Sequence, residues 1–175
     1  MSIEFTLRVR RCLLVMLASS TVGAVPCFAA EAAMEQAVRT ALLFNFLKFT
    51  EWPVAASPQL QVCIATGDPE LMTAMEALNQ RTVRGKPLVM TRYRQQAGCN
   101  VLYVDSRQRW VGMAESPAPH TLTIGGYAGF VADGGMIEVA LQEGGVRFDI
   151  GLREARRAGL RFYPQLLQLA RRIVE

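Results

Sequence analysis

The chain of 175 residues has one histidine, His120, and four cysteines. A single histidine removes most zinc-site patterns, and no cysteine pair has the close spacing of a metal or redox motif. A Ser-His-Asp site would need His120, which sits between Pro119 and Thr121 with no nucleophile elbow nearby; an exposed loop histidine is the reading adopted. The stretch GGYAGFVADGG (125–135) has neither the GxGxxG spacing nor the Lys-Ser/Thr ending of a phosphate loop. Turns and close packing account for its glycines, with a ligand-facing loop as the alternative. No spacing pairs carboxylates for acid–base work. No catalytic residue, metal or cofactor is therefore expected, and the chain is read as a non-enzyme.

Long basic runs are also missing. The formal charge is +4, but three of the arginines, Arg8, Arg10 and Arg11, stand in the first eleven residues. They precede the apolar or small run CLLVMLASSTVGAV, and Cys27 and Ala29 place small residues before a cleavage after Ala29. That is the layout of a secretory signal peptide over residues 1–29, too short for a comfortable transmembrane helix. Its removal takes away those arginines and Glu4, leaving +2. The exported remainder, residues 30–175, is expected to form a single domain outside the cytoplasm, without nucleic-acid binding and without membrane insertion. Its cysteines are reduced to Cys63 and Cys99, an even pair in an oxidising compartment. A disulfide is the default, two free thiols the alternative.

Against these absences stands one conspicuous segment, RTALLFNFLKFTEWP (39–53). Residues 33–49 hold neither Gly nor Pro and read as a helix that Trp52-Pro53 stops. Val38, Ala41, Leu42 and Phe49 make one stripe, which Leu43, Phe44, Phe46 and Leu47 widen nearly all the way round. So broad an apolar face implies cover on two sides, or cover by a partner. Asn45 and Lys48, three apart, share a face, and Trp52 can either pack on the body or anchor an interface.

Downstream, LQVCIAT (60–66) reads as a buried strand, and Asp68-Pro69 opens a helix. Further strands are expected near 87–93, at 100–105 and at TLTIGG, with a short helix at SRQRWVGMAE. MIEVALQ and VRFDI flank EGG as a hairpin. Its alternation puts Glu138, Arg147 and Asp149 together on an exposed sheet face. REARRAGLRFYPQLLQLARRIVE reads as two helical pieces split near Gly159, with Leu166, Leu169 and Ile173 at helical spacing. The fold class is α/β: a mainly parallel central sheet flanked by helices, with an antiparallel hairpin near the C-terminus.

The ordered set FNFLKFTEWP, LQVCIATGDP, VRGKPL, CNVLYVD, LTIGG, GGMIEVAL, VRFDI, ARRAGL and QLLQLA resembles the YfiR-like proteins across nearly all of residues 30–175. The resemblance implies a periplasmic repressor that binds the periplasmic domain of an inner-membrane diguanylate cyclase and lowers cyclic-di-GMP signalling and biofilm formation. It further implies an OmpA-like outer-membrane lipoprotein that sequesters the repressor, a homodimer, and a family disulfide at Cys63 and Cys99. A second cysteine pair found in some members has no counterpart at 132–152, and Gly151 stands where an Asn is commoner. Asn45, Lys48, Trp52, Glu138, Arg147 and Asp149 are the candidate partner- or ligand-binding residues. The alternative function is a periplasmic small-ligand sensor or binding protein coupled to another membrane system.

Overall fold

The computed structural model describes residues 26–53, 58–95, 98–113, 117–142 and 145–175. The expected signal segment lies outside the described residues up to position 25, as do part of the linker after Pro53 and two residues of the EGG turn. The chain forms two compact units, Met1–Met34 and Glu35–Glu175. The described part of the first is the leading portion of helix α1 (Pro26–Lys48), a helix that starts earlier than the sequence pattern suggests.

The second unit carries the rest of α1, then β1 (Thr50–Glu51), β2 (Leu60–Ala65), α2 (Pro69–Glu76), β3 (Thr82–Val83) and β4 (Lys86–Arg92). There follow β5 (Val101–Val104), α3 (Arg107–Gly112), β6 (Leu122–Gly125), β7 (Ile137–Gln142) and β8 (Gly145–Gly151). The last elements are α4 (Leu152–Arg157), β9 (Arg161–Phe162), α5 (Pro164–Leu169) and β10 (Arg172–Val174). Eight strands make one sheet in the order β10-β8-β7-β6-β5-β2-β4-β3. Pairings are parallel except at the β7–β8 and β3–β4 hairpins, the expected mainly parallel sheet with an antiparallel hairpin. No described helix is long and apolar enough to cross a membrane.

Local chemistry explains the best-read elements. Asp68 caps α2 by accepting hydrogen bonds from the Glu70 and Leu71 N–H groups, and Pro69 occupies the first turn, where its missing donor costs nothing. Strands β2 and β5 are buried almost throughout because helices and loops cover both faces. On one face, Val62, Ile64, Val101, Tyr103, Ile124, Ile137, Phe148 and Ile150 meet Leu43, Phe46 and Leu47 of α1 and Leu71 and Met75 of α2. On the other, Cys63, Ala65, Leu102 and Val104 meet Trp110 and Met113 from the α3 region. The Cys63–Cys99 disulfide closes on this second face, with Cα atoms 5.8 Å apart.

The C-terminus departs from its expected two helices. Gly159 at φ 73° does end α4, but α5 stops at Leu169, and Ala170 turns extended. Arg172–Val174 then pairs with Asp149–Gly151 as a parallel edge strand. Leu169 and Ile173, expected on one helical face with Leu166, are 70% and 40% exposed, whereas Leu166 is buried. Two short strands were also absent from the sequence pattern: β1 pairs with β9, tying Thr50 to Phe162 beside the end of α1.

Candidate interaction surface

Helix α1 buries a narrower stripe than its composition implies. Thr40, Leu43, Phe46, Leu47 and Thr50 are enclosed, Ala41 is exposed, and Leu42, Phe44 and Phe49 sit half-covered at the core's margin. The stripe is therefore turned relative to the Val38-Ala41-Leu42-Phe49 line. Phe46 inserts edge-on to Phe148, with ring centres 5.1 Å apart. Thr50 Oγ1 donates to the Phe46 carbonyl at 2.7 Å, closing the helix end before the Trp52-Pro53 stop.

Asn45 and Lys48 both face solvent. Trp52 is half-buried against the core, and its indole N–H donates to the Asn100 carbonyl at 3.4 Å. It is thus a packed residue with one exposed flank. Around the half-covered Phe44, Lys48 Nζ lies 5.8 Å from the ring centre and the Arg81 guanidinium 5.0 Å. Arg84, at the tip of the β3–β4 hairpin, lies 5.2 Å from the Tyr163 ring. The Tyr163 N–H in turn donates to the Phe49 carbonyl, so Tyr163 adjoins the end of α1. Sequence reasoning passed over Arg81, Arg84 and Tyr163. Nothing in VRGKPL announces that this segment folds back onto α1.

The hairpin residues sit differently from expectation. Glu138 and Asp149 are indeed direct cross-strand partners, with Arg147 on the same face of β8. That face is not open, however: Glu138 is 3% and Asp149 0% exposed, and only Arg147 reaches solvent. For Asp149 the cause is the C-terminal segment. Arg171 grips Asp149 through Nε and Nη2, both at 2.8 Å, and Arg172 Nη2 adds a third contact at 2.8 Å. The Arg171 hydrogen bonds, assisted by both positive charges, outweigh burial and hold the Asp149 carboxyl below the usual range. Glu138 accepts the Val131 N–H at 3.2 Å. These two carboxylates position backbone and the edge strand; neither presents itself to a visitor.

Open parallel sheets commonly bind ligands at the carboxyl ends of strands where the chain reverses its winding direction. Here that place is the β2–β5 boundary, since β4 and β5 flank β2 on opposite sides. The protein fills it with its own groups. Asp105 accepts the Thr66 hydroxyl at 2.8 Å and the Gly67 N–H at 2.9 Å, and pairs with Arg109 at 2.9 Å. Burial pushes this carboxyl upward, but those donors prevail and keep it low. The glycine-rich loop likewise serves packing. A Cβ on Gly125 or on Gly135 would come within 2.1 Å of the buried Phe130 ring, which also meets Trp110 and Tyr127 edge-on. His120 is exposed, with Nδ1 2.7 Å from the Ala158 carbonyl.

A cleft of about 700 Å³ opens beside α3 between Trp110, Met113, Pro119, Thr123, Met136 and Arg157. Its walls mix apolar side chains with Asp133, Glu154 and Arg157, and no group of three metal-capable side chains converges among the described residues.

A solved structure of a conserved domain protein from Vibrio cholerae O1 biovar eltor str. N16961 superposes with a TM-score of 0.51 at 14% identity. The alignment covers 79% of this chain and 60% of that one, so the likeness concerns the fold. No curated protein matches the sequence. The YfiR/HmsC-like family, by contrast, matches residues 36–171, from α1 through the arginine that grips Asp149. With all of the α/β body but the edge strand β10 inside that match, the chain belongs to the YfiR/HmsC-like family.

Proposed function

We propose that this protein is a periplasmic regulator that binds the periplasmic domain of an inner-membrane diguanylate cyclase and restrains it. The match of residues 36–171 to the YfiR/HmsC-like family carries the reading. In this account residues 1–29 are removed on export and residues 30–175 act as one domain. The regulator works as a binding equilibrium with no bond chemistry: a tenfold change in partner affinity needs only about 1.4 kcal/mol. The exposed end of α1, with Asn45, Lys48 and the open flank of Trp52, is the docking surface. Arg147 is a secondary contact, and Glu138 and Asp149 act by holding the edge strand. A homodimer would present the surface twice, and an OmpA-like outer-membrane lipoprotein would relieve repression by capturing the regulator.

Affinity capture from envelope extracts, followed by mass spectrometry, tests this reading. A membrane protein with a diguanylate cyclase output domain is the expected catch, and deleting the regulator should raise cyclic-di-GMP. Recovery of a transporter or sensor kinase instead, with unchanged cyclic-di-GMP, would sink it. The cleft of about 700 Å³ beside Trp110 supports the second reading, a small-ligand sensor. Filling it with Thr123→Phe should abolish ligand-dependent stabilisation under that reading and leave cyclase capture unchanged under the first.

A further inference from the structure

The three cation–π contacts among the described residues gather at one place, the end of α1 and the adjoining β3–β4 hairpin. Seven other arginines of the body have a carboxylate within ion-pair distance. Among the described residues, Lys48, Arg81 and Arg84 have no such carboxylate and rest on Phe44 and Tyr163 instead. A guanidinium over a ring engages its face and keeps its N–H edges for in-plane acceptors. Stacking also restricts a long side chain before any partner arrives, which lowers the ordering cost of binding. We infer that Lys48, Arg81 and Arg84 form a preset cationic clamp for an acidic segment of a protein partner, one carrying at least two closely spaced carboxylates.

Charge complementarity names the occupant, because a planar fork over an aromatic ring matches a carboxylate in two-point geometry. A membrane surface fits less well. Interfacial binding needs apolar side chains that enter the lipid, and the body's large exposed apolar residues, Val111, Leu169, Ile173 and Val174, lie on other elements. Phe44 and Tyr163 are half-covered and already occupied by cations. The inference deepens the proposed docking at α1, and rests on it for the partner's identity but not for its chemistry.

The test titrates the full exported protein with a Glu/Asp-rich decapeptide and, in parallel, with its Gln/Asn counterpart, following the arginine Nε–H resonances by NMR. The Arg81 and Arg84 signals should shift with the acidic peptide only, and affinity should fall at least tenfold between 50 and 300 mM salt, as about three screened contacts require. Arg81→Gln/Arg84→Gln should weaken binding of the acidic peptide, read from the labelled peptide's own signals, at least tenfold while the thermal midpoint stays in place. Unmoved signals, equal binding by the double variant, or binding only to vesicles containing phosphatidylglycerol would overturn the inference. So would a double variant that aggregates yet titrates normally, since the arginines would then merely protect the sheet edge. Acidic-peptide binding without cyclase capture would leave the clamp standing and remove the proposed function instead.

Discussion

Asp149→Asn isolates the buried cluster that holds the C-terminal strand. The substitution keeps volume but removes the charge facing three arginine contacts at 2.8 Å. Breaking a buried ion pair from one side costs about 3–5 kcal/mol. Arg171 and Arg172 are 36% and 60% exposed, so both can turn to water, and the expected cost drops to about 2 kcal/mol. For a body of this size that corresponds to a melting-temperature loss of about 6 °C. The pH dependence follows from the lowered carboxyl. Its stabilisation is fully present above the unfolded value of about 3.9 and is lost as pH falls through the folded value. Calorimetry should therefore show a wild-type advantage that is constant from pH 7 to 5 and closes in the acid range below about 4. A shift under about 1 °C at pH 7, or a gap that widens on acidification, would refute the reasoning. Hydrogen exchange should also speed up at residues 172–174, where β10 leaves β8.

Cys63→Ser/Cys99→Ser opens a loop of about 37 residues and, from the chain entropy it releases, should cost roughly 4 kcal/mol in urea unfolding; intact mass under nonreducing conditions should lie two hydrogens below the thiol form. Gly125→Ala meets the Phe130 ring at 2.1 Å and should destabilise by about 1–3 kcal/mol with loss of near-UV aromatic circular dichroism; a neutral result would mean that the ring is not clamped. Phe46→Ala empties a fully buried site beside Phe148 and should cost about 3–5 kcal/mol. Lys48→Glu, at an exposed position, should weaken cyclase capture while leaving the far-UV spectrum and melting temperature unchanged; unaltered capture removes this residue from the interface.

The parts of the fold legible in sequence are those set by local chemistry. Asp68-Pro69 announces α2, the buried run at 60–65 announces β2, and alternation in MIEVALQ and VRFDI announces the hairpin. The parts that were not legible depend on distant partners. ARRIV reads as helix by spacing, yet Arg171 and Arg172 reach back 22 and 23 positions to Asp149, and that grip, with the β8 ladder, selects a strand. The same contact encloses Asp149, while Glu138 is buried where it accepts the Val131 N–H, although both are polar residues on alternating strands whose pattern puts them in solvent. At α1 the sequence supplies the aromatic excess but not its use. Phe46 goes to the core, whereas Phe44 stays at its margin, where Arg81, thirty-seven positions on, lies over the ring. Trp52 reads equally as packing or anchor from sequence, and its bond to Asn100 adds the packing half.

The central claim is that the end of α1 docks and restrains a membrane diguanylate cyclase. Its most direct test is cyclic-di-GMP measured in cells lacking the native gene and complemented with wild type or with Lys48→Glu/Arg81→Glu/Arg84→Glu exported at equal levels. The account predicts low cyclic-di-GMP with wild type and derepressed levels, matching the deletion, with the charge-reversed protein. Equal repression by both proteins would contradict it.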